Sequence, residues 1–268
     1  MGDDVVIKIN NKEIKAAPEQ TVLKVAKMHG IDIPALCYLE GLEPYGACRL
    51  CLVEVVKGTK TGITTSCTLK VQKDMEVLTD TEAVNKHRKI LLELYLAKAP
   101  DSEIIKEMAL KYGITETHFS KKIEPQDPLQ NKCILCGLCI RVCESMGVTA
   151  ISYIGRGSYT RINTPYLEPS QDCTGCGACA KVCPTGAIKI EDIGQKRIMN
   201  SWSKTEINLK GCMLCGKYFS TEPFVEHVLK NSGEPDEDLK NLCFDCRRKL
   251  FSRKITALSY LPQTFKKQ

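Results

Sequence analysis

The cysteines between residues 133 and 183 have a spacing that suits iron–sulfur chemistry. They form two runs, which read CILCGLCIRVCE and CTGCGACAKVCP, each with the pattern C-x2-C-x2-C-x3-C. In runs of this kind, three closely spaced thiolates bind one [4Fe-4S] cube, while the fourth cysteine binds the other cube. The pattern therefore predicts two cubes in one compact segment, and each cube would carry one electron.

This crossed ligation assigns four cysteines to each cube. The first set is Cys133, Cys136, Cys139 and Cys183, and the second set is Cys143, Cys173, Cys176 and Cys179. The alternative is a pair of zinc sites, but zinc takes its ligands in two pairs and has no use for a third cysteine two residues further on. We also expect Gly137, Gly175 and Gly177 to permit tight backbone turns around the clusters.

A further group of four cysteines lies near the N-terminus. Its members are Cys37, Cys48, Cys51 and Cys67, with the spacing C-x10-C-x2-C-x15-C. A long loop, a tight pair and a distant last ligand favour a [2Fe-2S] centre, although the plant-type spacing begins with C-x4-C. Zinc is the alternative. Pro44, Gly46 and Ala47 favour iron and sulfide, because small residues bring backbone N–H groups close to the sulfurs.

The last four cysteines are two C-x2-C pairs. The first pair is Cys212 and Cys215, followed by Gly-Lys, and the second is Cys243 and Cys246, which open the basic segment RRKLFSRKI. Two such pairs match a tetrahedral structural zinc site, and a third [4Fe-4S] cube is the alternative. His227 is a rival ligand, but four cysteines already complete a tetrahedron. We interpret this tail as a treble-clef-like metal module.

Composition and charge limit the possible classes of function. The chain has 268 residues with 16 cysteines and only 6% aromatic residues, which indicates several small domains stabilised by metals. The formal net charge is +6, but four cysteine-bound metal sites at about −2 each would change it to roughly −2. This removes the electrostatic basis for nucleic-acid binding. An acidic N-terminus and the lack of a long apolar run predict a cytoplasmic protein with reduced thiols.

The elements around the N-terminal cysteines follow from local patterns. Residues 5–9 and 13–17 read as strands that flank a hairpin turn. A helix over residues 20–29 follows, with Thr21 as a plausible cap and Gly30 at its end. The run LCLVEVV after the tight cysteine pair predicts another strand.

Helical periodicity predicts two helices before the central cysteines, over residues 82–98 and 101–112. The apolar positions of the first helix are Val84, Ile90, Leu91, Leu94 and Tyr95. His87 on that helix is a possible ligand, but its charged neighbours, which include Arg88, lead us to expect a solvated side chain. Residues 121–130 carry two prolines and predict a linker.

The stretch between the two central cysteine runs predicts a hairpin, because apolar and polar residues alternate around Gly155 and Gly157. Tyr153 and Tyr159 in this hairpin could take part in redox chemistry, but we expect both to pack against the protein. In the tail, residues 234–239 (EPDEDL) predict an exposed loop.

Several phrases of this sequence resemble one known family. GACRLCLVEV at residues 46–55, RKILLELYLAKAPD and NKCILCGLCIRVCE are similar to the N-terminal iron–sulfur region of the large NADH dehydrogenase subunit of respiratory complex I. The same region occurs in the small diaphorase subunit of NAD-linked hydrogenases, in NAD-dependent formate dehydrogenases and in iron-only hydrogenases. The resemblance covers roughly residues 1–195. It implies a β-grasp [2Fe-2S] ferredoxin domain, a helical spacer and a bacterial-type dicluster [4Fe-4S] ferredoxin domain.

The chain departs from that family at one point. In the family, the helix after the [2Fe-2S] domain usually runs into a His-Pro-x-Asp-Cys phrase that begins a cluster held by one histidine and three cysteines. Here the text from Ala99 reads APDS, and no cysteine lies between Cys67 and Cys133. We therefore expect this cluster to be absent. The electron route would then differ from the family's usual one, or the [2Fe-2S] domain would pack elsewhere to fill the gap.

These expectations together define an α+β chain of four parts. They are a β-grasp [2Fe-2S] domain at 1–80, a helical spacer at 81–128, a dicluster [4Fe-4S] domain at 129–200 and a four-cysteine zinc-finger-like module at 201–268. The expected cofactors are one [2Fe-2S] cluster, two [4Fe-4S] clusters and one zinc ion or a third [4Fe-4S] cluster.

The function that these features favour is electron transfer within a multi-subunit NAD(P)(H)-linked oxidoreductase of the hydrogenase, formate dehydrogenase or electron-bifurcating kind. The chain has no G-x-G-x-x-G dinucleotide fingerprint. Flavin, NAD and the terminal catalyst would therefore lie on other chains. The expected partners are a flavin- and NAD(P)(H)-binding subunit, a thioredoxin-like [2Fe-2S] subunit and a hydrogenase or other catalytic subunit, with no nucleic acid and no membrane insertion.

Two other functions compete with this one. The iron–sulfur subunit of a succinate or fumarate enzyme also orders a [2Fe-2S] domain before a cluster domain, but the ten-residue loop after Cys37 disfavours it. A zinc-finger regulator that senses redox state would need a cationic DNA-reading surface. Apart from residues 247–254, no such surface is apparent in the sequence.

Overall fold

A computed structural model of the protein describes residues 4–121, 123–232 and 239–259. The chain begins with a five-stranded sheet in the spatial order β2-β1-β5-β3-β4. Its strands are β1 (Val5–Ile9), β2 (Lys12–Ala16), β3 (Leu52–Lys57), β4 (Gly62–Thr65) and β5 (Glu76–Leu78). β1 and β5 run parallel, and the other neighbours are antiparallel. This mixed sheet, crossed by one helix, has the β-grasp arrangement that the resemblance implies.

The first hairpin and helix form as the sequence predicts. Asn10 and Asn11 both adopt left-handed backbone conformations, with φ of 50° and 66°, which a two-residue turn between twisted strands requires. Helix α1 (Val22–Met28) follows this hairpin. The Thr21 side-chain oxygen accepts a hydrogen bond from the backbone N–H of Lys24 and so caps the helix.

The buried face of α1 packs on the sheet and forms the core of this domain. Its fully buried side chains are Val22, Leu23, Val25 and Ala26. Cys51 and Cys67 belong to the same packed cluster. The hydrophobic core therefore fixes two of the four N-terminal cysteines directly.

Two helices connect this domain to the central one, and their positions agree with the prediction. They are α2 (Glu82–Lys98) and α3 (Glu103–Lys111). The predicted apolar face of α2 is wrong in part, because Ile90 and Leu94 are 46% and 43% exposed, whereas Arg88 and Leu92 are buried. The helix turns Arg88 inward because backbone carbonyls of the N-terminal domain accept its hydrogen bonds.

The central domain contains short elements around the cysteine runs. They are α4 (Leu138–Ser145), β6 (Ser152–Ile154), β7 (Arg161–Asn163), α5 (Ala178–Lys181), β8 (Ile190–Ile193) and β9 (Lys196–Met199). β6 and β7 form the predicted hairpin between the two runs. Tyr153 is half-buried and donates to the Leu135 carbonyl at 3.1 Å, as expected of a packed tyrosine. The same expectation is wrong for Tyr159, whose side chain lies on the surface and is 78% exposed.

The tail continues the last sheet of the central domain. Its elements are β10 (Thr205–Gly211), β11 (Tyr218–Thr221), α6 (Glu222–Asn231) and α7 (Phe244–Ser259). The strands form one sheet in the order β11-β10-β9-β8. The predicted division between residues 200 and 201 therefore lies between two paired strands, β9 and β10. Residues 234–238 of the predicted EPDEDL loop lie outside the described residues.

Among the helices of the described residues, none combines the length and the apolar character that crossing a bilayer would need.

Candidate metal centres

The four N-terminal cysteines are all buried and lie close together. The Cys37 thiol lies near those of Cys48 and Cys67, and the Cys51 thiol lies near that of Cys67. The interaction with Cys48 first, and then with Cys67, lowers the pKa of Cys37. The backbone N–H of Cys48 also donates to Cys37 Sγ at 3.4 Å. The long loop thus gathers four sulfurs, with a backbone donor beside them, around one small space.

Arg88 fixes the backbone on both sides of Cys51. Its Nε donates to the carbonyl of Leu50 at 3.1 Å, and its Nη2 donates to the carbonyl of Leu52 at 2.6 Å. The side chain is buried, with 3% exposure, and hydrogen bonds from a charged donor are stronger than neutral ones. Helix α2 therefore positions one of the N-terminal cysteines through a buried, charged side chain.

The first set of central cysteines lines a small, partly enclosed cavity. The set is Cys133, Cys136, Cys139 and Cys183, as the crossed pattern predicts. The remaining wall is mostly apolar and includes Ile134, Ile162 and Ile188. The backbone N–H of Leu135 donates to Cys133 Sγ at 3.4 Å. The chain thus brings Cys183 back from the second run to the first, across more than forty residues of sequence.

The second set lines a neighbouring small cavity. Its cysteines are Cys143, Cys173, Cys176 and Cys179. The backbone N–H of Ala150 donates to Cys143 Sγ at 3.3 Å. The thiols of Cys139 and Cys179 are close enough to interact electrostatically, so the two cavities adjoin each other.

Left-handed backbone residues make the two cysteine loops alike. Gly137 and Gly177 follow the second cysteine of each run and precede α4 and α5, with φ of 73° and 79°. Gly175 has φ 69°, and Leu135 adopts φ 56° at the equivalent position of the first run. The predicted role of the three glycines in tight turns is confirmed. Both runs therefore follow the same path around their cavities, even where one carries a leucine.

The chemistry of both cavities fits metal clusters. Burial raises the pKa of Cys133 and of Cys179 to about 12, and that of Cys136 to about 11. Desolvation of this kind penalises isolated thiolates. A positively charged metal core removes the penalty, because coordination deprotonates the thiols and compensates their charge. Enclosed space, clustered sulfurs and backbone N–H donors therefore all suit the predicted clusters.

The four tail cysteines are packed more tightly than the other sets. The Sγ atoms of Cys212, Cys215, Cys243 and Cys246 all lie within 4.8 Å of one another. In the described part of the chain, no other group of three or more Cys, His, Asp or Glu side chains meets this distance. The Sγ atoms of Cys215 and Cys243 are 3.7 Å apart. This set alone has the dimensions of a single-ion site.

Backbone donors also stabilise the tail sulfurs. The N–H of Cys243, directly before α7, donates to Cys212 Sγ at 3.3 Å and lowers the pKa of that thiol to about 6. Gly216 turns the chain after the first pair with φ 71°. The first pair thus lies in a knuckle between β10 and β11, and the second pair begins a helix. This is the treble-clef-like arrangement that the sequence predicts.

Neither of the two candidate histidines joins a cysteine set. His87 is exposed, and its Nδ1 lies 2.7 Å from the carbonyl of Ala83, as expected of a solvated side chain. His227 lies on α6, and its Nε2 is 2.7 Å from the carbonyl of Met146. It therefore contacts the end of α4 in the central domain rather than the tail sulfurs.

The N-terminal domain contacts the first cavity directly. Arg141 on α4 donates through Nη1 to the carbonyl of Glu43 at 2.7 Å and through Nη2 to the carbonyl of Cys37 at 2.6 Å. Cys37, Cys48 and Cys136 belong to one packed apolar cluster. The N-terminal set and the first central set therefore share one buried apolar cluster.

Tyr95 on α2 lies at this same contact. Its Oη donates to the carbonyl of Cys48 at 2.9 Å. Burial raises the pKa of Tyr95, and the nearby thiols of Cys48, Cys37 and Cys136 raise it further. The phenol is thus close to cysteines of both sets, and the spacer helix forms part of the contact.

The tail, through β11, and the adjoining strand β9 contact the loop of the second cavity. The Thr221 hydroxyl donates to the carbonyl of Thr174, and Arg197 Nη1 donates to the carbonyl of Gly175 at 2.7 Å. A methyl group added to Gly175 would lie 2.8 Å from Thr221 Cγ2. Each cavity is therefore supported by a different neighbour.

The side chains that make these contacts were not predicted from the sequence. Arg88 could have been found from its four-residue spacing with Val84 and Leu92, which puts it on the buried face of α2. Arg141 and Trp202 carry no such local signal, because their contacts are with residues distant in sequence. Their placement follows only from the tertiary structure.

The chain matches known families of iron–sulfur domains. Residues 2–82 match the 2Fe-2S iron-sulfur cluster binding domain. Residues 129–190 match a 4Fe-4S dicluster domain, and residues 172–217 match a second 4Fe-4S dicluster domain family. The second match overlaps the first and extends through Cys212 and Cys215. The expected order of a [2Fe-2S] domain followed by a dicluster domain is confirmed.

Similar proteins are subunits of oxidoreductases. The NADPH-Fe(3+) oxidoreductase subunit alpha of Geobacter sulfurreducens is 33% identical over 203 residues, which cover 69% of this chain and 24% of the relative. A subunit of the NADH-quinone oxidoreductase of Rickettsia prowazekii is 33% identical over 199 residues, covering 67% of this chain and 29% of the relative. The chain thus spans about a quarter of the length of these curated relatives.

A solved structure shares both fold and sequence with this chain. It is the crystal structure of an NAD+-reducing [NiFe]-hydrogenase in the H2-reduced state. The similarity has a TM-score of 0.54 and 30% identity, and it covers 60% of this chain and 75% of the matched chain. The resemblance seen in the cysteine motifs therefore extends to the three-dimensional structure.

Proposed function

This chain belongs to the family of iron–sulfur subunits that includes the matched subunit of NADH-quinone oxidoreductase and the matched chain of NAD+-reducing [NiFe]-hydrogenase, and we propose that it relays single electrons within a multi-subunit NAD(P)(H)-linked oxidoreductase. The observation that carries this proposal is the direct contact between the N-terminal cysteine set and the first central cavity. When bound, iron–sulfur clusters supply centres that accept and release one electron each.

The cysteine sets are proposed as ligands in the order that the chain presents them. A [2Fe-2S] cluster would be held by Cys37, Cys48, Cys51 and Cys67, the first cube by Cys133, Cys136, Cys139 and Cys183, and the second cube by Cys143, Cys173, Cys176 and Cys179. Support comes from the cavities, each lined by one such set. Arg88 and the backbone N–H donors would orient the sulfurs.

The contact between the N-terminal site and the first central site concerns the family's histidine-ligated cluster, which we expect this chain to lack. The Arg141 guanidinium holds the Cys37 carbonyl against α4, and buried apolar side chains pack around Cys37, Cys48 and Cys136. Electron transfer between the N-terminal site and the first cube then needs no intervening centre. We propose that the route runs from one to the other across this contact and continues to the second cube.

For the tail, we propose a single structural zinc ion. Four thiolates at the Zn–S distance of about 2.3 Å stand about 3.8 Å apart in a tetrahedron, close to the 3.7 Å between Cys215 Sγ and Cys243 Sγ. In a cube each thiolate binds a different iron, so the four sulfurs must stand farther apart. The family match that extends through residue 217 favours the alternative, a third cube. The mutual distances favour one ion.

The other components of the complex are proposed from what this chain does not contain. No dinucleotide fingerprint occurs in the sequence, so a flavin- and NAD(P)(H)-binding subunit would exchange hydride with the nicotinamide. A thioredoxin-like [2Fe-2S] subunit and a hydrogenase, formate dehydrogenase or other catalytic subunit would complete the assembly, and an electron-bifurcating flavin complex is one form of it. The cytoplasmic location stays a prediction.

The experiment that tests the relay compares two reductants on the purified chain under anaerobic conditions. Dithionite should bleach the clusters, whereas NADH should not, because hydride transfer needs a flavin on another subunit. Addition of the flavin subunit that co-purifies with the chain should restore reduction by NADH. Rapid bleaching of the flavin-free chain by NADH alone would contradict the proposal.

Metal analysis tests the assignment of the tail. One [2Fe-2S] cluster, two cubes and a zinc site require about ten iron atoms and one zinc per chain. A fully loaded sample with about fourteen irons and no zinc would instead show a third cube at the tail cysteines. The tail would then extend the electron route instead of holding a purely structural ion.

A further inference from the structure

Two buried hydrogen-bond donors have no partner and lie beside the second central cavity. Trp202 is 4% exposed and Thr174 is 8% exposed. Neither Trp202 Nε1 nor Thr174 Oγ1 finds a hydrogen-bond partner among the described residues. Leaving such a group unpaired costs about 1–3 kcal/mol, and buried polar groups of native proteins nearly always have a partner. Both residues line the cavity bounded by the second cysteine set.

The position of the indole indicates which side its nitrogen faces. The Trp202 ring borders a broad surface groove near Cys133 on one side and the enclosed second cavity on the other. Trp202 Nε1 is shielded from solvent, so it does not face the open groove. The ring packs in a cluster that contains cysteines of both central sets, but the second cavity is the one of the two that Trp202 lines. The acceptors that the nitrogen lacks would therefore be sulfur atoms inside the cavity.

The first cavity has no equivalent unpartnered donors among the described residues, although the two cysteine runs share one backbone path. Ile134 occupies the position in the first run that Thr174 occupies in the second. Among the described residues that line the first cavity, none carries an unpartnered buried polar atom. Its one hydroxyl, from Thr185, already lies 3.6 Å from Cys183 Sγ. Of the two cavities, only the second is thus lined by unpartnered buried donors, and the repeated cysteine spacing does not account for them.

We propose that Trp202 and Thr174 donate hydrogen bonds to the sulfurs of the second cube and thereby raise its reduction potential. One-electron reduction adds one negative charge to the cluster, and the N–H and O–H dipoles stabilise that charge more in the reduced than in the oxidised form. This inference rests on the proposed relay for its role, since a higher potential would favour residence of the electron at the tail end. The hydrogen bonds themselves do not depend on the relay.

The test is a redox titration of the purified, fully loaded chain, followed by electron paramagnetic resonance. Trp202→Phe removes the N–H and keeps an aromatic ring, and Thr174→Val removes the hydroxyl and keeps the shape. Each variant should lower the equilibrium constant for reduction of the second cube severalfold, where a tenfold change corresponds to about 59 mV for one electron. The potential of the first cube should not change. The two signals can be assigned with Cys139→Ala protein, which should lack the first cube.

The matched control is Thr185→Val, which removes the hydroxyl beside Cys183 and should shift only the first cube. Unchanged potentials in both Trp202→Phe and Thr174→Val, or equal shifts of both cubes, would overturn the proposal. If either variant failed to load its cluster, a measurement on the wild-type chain would test the hydrogen bonds instead. After exchange into D2O, the reduced second cube should show coupling to exchangeable deuterons at hydrogen-bond distance, and absence of that coupling would also overturn the proposal. If NADH failed to reduce the chain even in the presence of the flavin subunit, that result would contradict only the proposed relay and not the proposed hydrogen bonds.

Discussion

The two cysteine runs have the same spacing and backbone path, yet each is supported by a different part of the molecule. In the first run, Arg141 donates to two carbonyls of the N-terminal domain. The equivalent residue in the second run is Lys181, which is exposed. The second run is held instead by Thr221 of the tail and by Arg197 of β9, the strand on which the tail's sheet continues. The repeat therefore supplies the cysteines, and the neighbouring elements supply what differs between the two sites.

This difference means that the two halves can be perturbed separately. The first cavity should respond to changes in the N-terminal domain and the spacer helix. The second should respond to changes in the tail and its metal. Variants at equivalent positions of the two runs provide matched controls, because the local backbone is the same in both.

The largest effect is expected from removal of a cluster ligand. Cys139→Ala should eliminate the first cube, and Cys179→Ala, at the equivalent position, should eliminate the second, because each cube needs all of its thiolates. The [2Fe-2S] signal should remain in both variants, since its ligands lie in another domain. Low-temperature electron paramagnetic resonance measures all three signals. Loss of the [2Fe-2S] signal with both cubes intact would show that the ligand sets are wrongly assigned.

The second-largest effect is expected from loss of the tail metal. Of the two cubes, only the second should be affected. Structural zinc contributes about 10–16 kcal/mol of apparent binding free energy to folding, so Cys243→Ser should release the metal and unfold the knuckle and α7. The second cube should then become more labile to oxygen, because Thr221 no longer supports its loop. Zinc content and the rate of cluster bleaching measure both effects.

Met213→Ala is the control for this variant, because Met213 lies in the same knuckle but is 77% exposed. Its zinc content and bleaching rates should match the wild type. If Cys243→Ser bleached the first cube as fast as the second, the tail would not be a support of the second cavity alone.

Two glycine-to-alanine substitutions should distinguish destabilisation by the tail contact from destabilisation by backbone strain. Gly175→Ala and Gly177→Ala both place alanine at φ near 70–80°, which costs about 1–2 kcal/mol. At Gly175 the methyl also meets Thr221 Cγ2 at 2.8 Å, whereas at Gly177 it meets only Ile190 at 3.8 Å. Overpacking should add about 1–3 kcal/mol at Gly175. Thermal bleaching of the second cube should therefore occur at a lower temperature in Gly175→Ala, and equal midpoints would argue against a tight tail contact.

Replacement of Arg141 should weaken the contact between the N-terminal domain and the first cavity. Arg141→Gln removes two charge-assisted hydrogen bonds, each of about 1.5–3 kcal/mol. All clusters should load, but the magnetic interaction between the reduced [2Fe-2S] centre and the first cube should decrease, as measured by relaxation of the [2Fe-2S] signal. Lys181→Gln, the matched change in the second run, should have no effect. An unchanged interaction in Arg141→Gln would place the electron route elsewhere.

The smallest effect is expected at Tyr95. Tyr95→Phe removes one neutral hydrogen bond to the Cys48 carbonyl, worth about 0.5–1.5 kcal/mol. The thermal midpoint for bleaching of the [2Fe-2S] centre should fall slightly, while the second cube should be unaffected. Tyr166→Phe serves as the control, because Tyr166 is 92% exposed. A larger shift at the second cube than at the [2Fe-2S] centre would contradict the placement of Tyr95.

Local patterns predicted most elements and all of the cysteine sets. The Asn10-Asn11 turn, the Thr21 cap and the bounds of α2 follow from short-range chemistry, so the sequence is sufficient to predict them. The orientation of α2 was mispredicted, because the apolar pattern favoured Ile90 and Leu94, whereas the hydrogen bonds of Arg88 decided which face is buried. A buried charge depends on acceptors supplied by another domain, and periodicity contains no information about them.

The sequence by itself determined the grouping of the cysteines, because their spacing limits which thiols can surround one site. It also determined the turns of the cluster loops at Gly137, Gly175 and Gly177, where left-handed conformations suit glycine. Only the tertiary structure decided the environments of the clusters. Arg141 meets the Cys37 carbonyl from 104 residues away, and Trp202 reaches the second cavity from the end of the sheet that joins it to the tail. Contacts at such separations arise from the packing of whole domains, which no local pattern encodes.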